Sequence, residues 1–123
     1  GLDLVITNRD AAPYLLMNTV ANDDPSDARG QGNWIRFRVS TGIRDAYGAT
    51  VSATVGSTRT YRDVQPSASY LASSDPRVHF GLANASTARD VRVRWPGGLE
   101  EMFGDFDAGA THELIAGQGT VSR

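Results

Sequence analysis

Apolar and polar residues alternate with a period of two along nearly the whole chain, and no segment sustains the 3.6-residue period of a helix. Leu2, Leu4 and Ile6 share one parity. Ile35, Phe37 and Val39 alternate with Trp34, Arg36 and Arg38; Val51, Ala53 and Val55 alternate with Ser52 and Thr54. Val91, Val93 and Trp95 alternate with Arg92 and Arg94, the cleanest instance. Shorter strands are predicted at Tyr14–Met17, Thr60–Val64, Arg77–Leu82, Glu101–Phe103, His112–Ile115 and Thr120–Ser122. Because neighbouring side chains on a strand point to opposite faces, Val78, Phe80 and Leu82 are expected inward and His79 outward, beside Arg77.

Turn signals separate these runs: Asn8-Arg9-Asp10, Gly30-Gln31-Gly32, Asp75-Pro76, Pro96-Gly97-Gly98 and Ala116-Gly117-Gln118-Gly119. Gly97-Gly98 suits a tight hairpin, since glycine accepts positive φ. Asp75-Pro76 starts a turn because proline fixes φ and Asp bonds the backbone two residues on. Asp23 to Asp27 and Ala83 to Arg89 read as loops. Eight to ten short strands with such connections predict an all-β fold, an antiparallel sandwich or a distorted barrel.

Composition narrows the chemistry. The 123 residues fit one domain able to bury a core. A net charge of -2 argues against a nucleic-acid partner, which calls for a basic face. No run reaches the ~18 apolar residues of a membrane span, and no signal-peptide pattern lies within these residues. Zero Cys excludes disulfides and thiolate chemistry. All 12 basic residues are Arg, which excludes a lysine Schiff base or a lysine phosphate loop.

Specific words carry a family resemblance. SYLASSDPRVHFGL (Ser69–Leu82) followed by DVRVRWPGG (Asp90–Gly98) resembles the ASPIC/UnbV domain, found in cartilage acidic protein-like and many bacterial secreted proteins. NWIRFRV, RDAYGATV, TYRDVQPSASYL and THELIAGQG extend the likeness over Asn33 to Gly119, although Pro66 and Ala68 fall in a stretch that is usually richer in glycine. GLDLVITNRDAAPYLLMN, at residues 1–18, resembles the last strands of an FG-GAP/VCBS β-propeller repeat. The resemblance implies terminal propeller strands at 1–18, a linker at 19–32 and an ASPIC/UnbV-like domain at 33–123. It also implies a C-terminal piece of a larger secreted protein, extracellular or periplasmic. The expected partners are the upstream propeller and an extracellular protein or glycan. No cofactor is expected here, calcium belonging to the aspartate-rich loops of the upstream repeats.

Several groups deserve weighing as sites. Asp23, Asp24 and Asp27 lack the alternating ligands and distal Glu of a calcium loop and read as a solvated linker. Asp105 and Asp107 flank Phe106 and share a strand face; a turn anchored by Phe106 is the simpler reading, with metal ligation or an acid/base pair as the rival. His79 and His112 with one carboxylate would suffice for a zinc site only if the fold brings them together. No GxSxG elbow accompanies them. Asn84-Ala85-Ser86 is a formal glycosylation sequon.

The ligand-binding candidates are Trp34, Arg36, Arg38, Arg92 and Arg94. If their strands are neighbours, four guanidiniums share one sheet face near Trp34, suited to sulfated or carboxylated glycan or an acidic protein surface. The alternative is pairing with Asp90, Glu100 and Glu101. Tyr70, Asp75, Arg77, His79, Phe80 and Trp95 are the structural signature residues, and Ser69 to Arg77 reads as a latch anchored in the core by Tyr70, Val78, Phe80 and Leu82. The expected function is a non-catalytic, adhesion-type interaction module that accompanies a propeller. Two rivals stay open: a carbohydrate- or anion-binding module, and part of an enzyme site shared with the propeller through Asp75, Arg77 and His79.

Overall fold

The computed structural model describes residues 2–18, 32–67 and 69–121. The chain divides into two units, Gly1–Gly32 and Asn33–Arg123. In the first unit, β1 (Leu4–Ile6) and β2 (Tyr14–Leu16) form an antiparallel hairpin in the register Leu4 to Leu16, Val5 to Leu15 and Ile6 to Tyr14. The Asp3 carboxylate accepts the Asn18 N–H, and the Asn8 amide bonds Ala12 O inside the connecting loop. Residues on both parities, Leu4, Val5, Leu15 and Leu16 among them, are at least half exposed. The predicted linker, with Asp23, Asp24 and Asp27, lies outside the described residues apart from Gly32.

The second unit is a two-sheet sandwich. A five-stranded sheet runs β10-β8-β7-β4-β5, from β4 (Thr50–Val55), β5 (Thr58–Asp63), β7 (Thr87–Arg94), β8 (Glu100–Asp107) and β10 (Thr120–Val121). A three-stranded sheet runs β6-β3-β9, from β3 (Asn33–Ser40), β6 (Val78–Ala83) and β9 (Thr111–Ile115). No helix interrupts the described strands and no barrel closes; of the two expected arrangements, the sandwich is the one formed.

Alternation dictates what lies between the sheets. Ile35, Phe37, Val39, Val78, Phe80, Leu82 and Leu114 face in from one sheet, and Val51, Ala53, Ala88, Val91 and Val93 from the other. Each of the larger side chains contributes about 1.5–3 kcal/mol by leaving water. Phe37 sits at the centre, edge-on to Phe80 at 6.0 Å and to Phe106 at 5.3 Å. That edge-to-face geometry adds favourable quadrupole contact to the burial. Trp95 is 8% exposed and belongs to this core, as its parity with Val91 and Val93 predicts.

Three details depart from the sequence reading. First, β9 pairs with β3 in parallel, Phe37 beside His112 and Val39 beside Leu114. Alternation looks the same in parallel and antiparallel strands; the connection decides, and β8 and β9 are joined by a short turn yet lie in different sheets. Second, the segment read as a loop from Ala83 to Arg89 is largely strand, with only residues 84–86 between β6 and β7. Third, Tyr70 does not anchor in the core: Tyr70 and Leu71 are each 86% exposed. They sit at the tip of a turn closed by the Ser69–Ala72 bridge, with Leu71 at a φ of 51°. Phe80 does occupy the core.

Candidate functional site

The four arginines of the predicted rungs do not share a face. β3 and β7 belong to different sheets, and both pairs point away from the core between them. Trp34, Arg36 and Arg38 lie on the outer face of the three-stranded sheet, Arg92 and Arg94 on that of the five-stranded sheet.

The five-stranded face is a closed ion network. Asp90 sits at a β-bulge with a φ of 49°, its N–H donated to Asp105 Oδ1 at 2.8 Å. Its carboxylate accepts from Arg92 Nε at 3.0 Å and from Arg59 Nη1 at 3.0 Å. Arg92 also reaches Glu100 at 3.2 Å, and Arg59 donates to Ser52 Oγ at 2.7 Å and to Asp90 O at 3.1 Å. The hydrogen bond from Arg92, helped by the charges of Arg92 and Arg59, lowers the Asp90 carboxyl below its ordinary value. Arg92 is thus engaged with Asp90 and Glu100, two of the carboxylates weighed for it. The third, Glu101, faces inward instead, 3% exposed, and accepts the N–H groups of Gly117 at 2.9 Å and Gly119 at 3.0 Å. Arg94 is exposed and makes no ion pair among the described residues.

The three-stranded face divides into two parts. At one end Arg38 donates to Asp45 at 3.0 Å. Nearby, Asp75 closes its own turn by accepting the Arg77 N–H at 2.9 Å, and it takes the Arg77 side chain at 2.9 Å and 2.5 Å. That pairing lowers the Asp75 carboxyl below its usual range and holds Arg77 charged. These two pairs and Glu113 line an open hollow of about 400 Å³. His79 does not line it, so this hollow brings Asp75 and Arg77 together without His79.

At the other end stand Trp34, Arg36 and His79. The register sets Arg36 opposite His79 and Trp34 opposite Gly81. The Trp34 and His79 rings lie 6.3 Å apart and within 13° of parallel. The Arg36 guanidinium carbon is 5.0 Å from the Trp34 ring centroid, a cation–π contact. Burial, followed by the Arg36 charge, lowers the His79 pKa. Arg36 has no carboxylate partner among the described residues, and its Nε is buried without a hydrogen bond. Gly81 leaves open space beside the indole, since a Cβ there would meet nothing within 4 Å.

His112 points the other way, into the rim of the core. Its ring lies 4.9 Å from Phe106, with Nε2 at 3.2 Å from Asp107 O. The two histidines therefore stand on opposite faces of one sheet and do not meet. Asp105 holds the bulge at Asp90, and Phe106 packs against the core. Among the described residues, no three of His, Asp and Glu group closely enough to hold a metal ion.

A family model described as ASPIC and UnbV matches residues 40–121. The chain belongs to the ASPIC and UnbV family. The match begins at Ser40, so Trp34, Arg36 and Arg38 precede it, while His79, Asp75 and Arg77 of the ASPIC/UnbV domain fall within it. Neither the curated proteins nor the solved structures contain a significant match.

Residues that the sequence reading passed over carry much of this geometry: Asp45, Arg59, Gly81 and the inward role of Glu101. Glu101 had a legible signal, because it shares parity with Phe103 on a predicted strand. Asp45 and Arg59 had none, since their partners are fixed by how separate strands come together.

Proposed function

We propose that the ASPIC/UnbV domain is a non-catalytic interaction module of an extracellular or periplasmic protein, accompanying a β-propeller. The observation that carries this reading is the outer face of the three-stranded sheet. There Trp34 holds a stacked imidazole and a guanidinium without an acidic partner among the described residues, on an outward sheet face suited to adhesion. Several charged side chains elsewhere are engaged in structural contacts: Asp75 with Arg77, Asp90 with two arginines, and Glu101 with a turn.

The β1–β2 hairpin supports the propeller half of the proposal. Two strands alone are marginal in water, and this pair is apolar on both faces, with Val5 and Leu15 60% and 63% exposed. Such a hairpin gains most from joining a larger sheet, as the last strands of a propeller repeat would.

The test is hydrogen exchange of the chain with and without extracellular polymers of the producing organism. Protection of the β3 and β6 amides beside Trp34 and Gly81, lost in Trp34→Ser, is the expected result. Equal exchange in both conditions, or turnover of an added substrate by the chain, overturns the proposal.

A further inference from the structure

The same face carries enough detail to name a ligand class; the inference rests on reading it as the interaction surface. Its charges do not balance evenly. Arg38 and Arg77 each have a carboxylate within 3.0 Å, whereas Arg36 has none among the described residues. Water is kept from the Arg36 Nε, which makes no bond of its own. A guanidinium so placed presents its remaining N–H groups as a planar fork, matched to a carboxylate. Arg36 is the guanidinium set over the Trp34 ring, which suits an anion presenting a single carboxylate beside each sugar ring.

Beside that fork lies a shelf. Gly81 is exposed, faces outward between Phe80 and Leu82, and stands opposite Trp34 in the register. The missing side chain leaves room next to the indole and imidazole rings. Aromatic surfaces with an adjacent open strip accept the apolar C–H face of a sugar, while Asp, Glu and their peptides offer no such face. Since the site lies on the outer face of paired strands β3 and β6, it fits a segment of polymer lying across the strands.

We propose that Arg36, Trp34 and the Gly81 shelf form a subsite for a uronic acid residue of an acidic polysaccharide. Arg36 takes the carboxylate and the sugar ring lies against Trp34 over Gly81. Arg94, likewise without an ion pair among the described residues, stands on the other sheet with no aromatic neighbour among the described ring contacts.

The experiment is calorimetric titration of the chain with polygalacturonate, dextran, dextran sulfate and poly-glutamate. Polygalacturonate should bind and dextran should not. Arg36→Gln should weaken binding at least about tenfold, the scale of one lost charged hydrogen bond. Gly81→Val should do the same by filling the shelf; its backbone lies outside the left-handed region and β-branched residues suit strands, so the fold survives. Arg94→Gln should leave binding unchanged. Absence of polygalacturonate binding, or binding indifferent to both Arg36→Gln and Gly81→Val, overturns the proposal. Tighter binding of dextran sulfate, or equal binding of poly-glutamate, also overturns the uronic acid assignment. If polygalacturonate fails while extracellular polymers still protect β3 and β6 from exchange, the subsite is wrong and the interaction module stands. If both fail, so does the module.

Discussion

His79 and His112 stand on opposite faces of one three-stranded sheet, the first stacked on Trp34 and the second packed against Phe106. β3 runs between their strands, so the imidazoles answer to different surroundings. For His79, burial and the Arg36 charge both favour the neutral ring, and its pKa falls below 6.5. Between the folded value and 6.5 the unfolded chain binds more protons, so stability rises with pH across that window. It is complete above 6.5 and is lost as pH falls through the folded value. An NMR titration of the His79 ring should show a lowered midpoint that moves up in Arg36→Gln. A midpoint that ignores the substitution would mean that Arg36 does not act on the ring.

Glu101 should matter more than its place in a charged dipeptide suggests. Its carboxylate is almost wholly buried and gathers the N–H groups of Gly117 and Gly119, tying the β9–β10 turn to β8. Hydrogen bonds to a charged acceptor contribute about 1.5–3 kcal/mol each when removal leaves a donor unpaired. Glu101→Ala is therefore expected to cost about 2–4 kcal/mol in urea unfolding, and Glu101→Gln less, because the amide keeps one acceptor oxygen. Gly119→Ala should also destabilise, since a Cβ there would come within 2.9 Å of the Met102 carbonyl. A Glu101→Ala protein as stable as wild type would show that the turn holds without it.

Asp90 offers a separate acid-sensitive test. Its lowered carboxyl pKa means that its contribution is fully present above the ordinary 3.8 and disappears as pH falls through the folded value. Asp90→Asn should destabilise at neutral pH, and the difference from wild type should shrink steadily in urea melts taken below 3.8. The carboxylate is 43% exposed, so solvent screening keeps the effect small. A difference independent of pH would assign the loss to the bulge geometry held by Asp105 instead of to charge.

Much of the sandwich was legible because alternation is a local property. The parity of Val91, Val93 and Trp95 placed all three inside, and that of Val78, Phe80 and Leu82 turned His79 outward. What alternation cannot carry is which strands become neighbours. The prospect of Arg36 and Arg92 on one face depended on such a pairing, and the structure separates them onto two sheets. The parallel β3–β9 pair escaped for the same reason. Tyr70 was misplaced for a different one: a turn tip holds no alternation, so its aromatic ring gave no directional information. Of the candidate site, Trp34 and Arg36 were readable one by one. Their contact with His79 and the vacancy at Gly81 exist only through the register of β3 with β6.

Trp95 closes the core at the Pro96-Gly97-Gly98 turn, where Gly97 and Gly98 adopt φ values of 108° and 98°. Its N–H bonds Leu99 O at 2.8 Å and its carbonyl accepts Gly98 N–H at 2.9 Å, so the backbone of the hairpin is satisfied whatever the side chain. The indole Nε1 is different: buried, with no hydrogen-bond partner. A buried donor without an acceptor costs about 1–3 kcal/mol in lost hydration. Trp95→Phe removes that penalty together with part of the packing volume, and the two effects oppose each other. The expected net loss is under about 1.5 kcal/mol, whereas Trp95→Ala, which removes the same donor but opens a far larger cavity, should lose about 3–5 kcal/mol. Urea unfolding of both variants decides the matter. If phenylalanine proves as damaging as alanine, the indole N–H has an acceptor in solution and the core at this end is wetter than its packing implies.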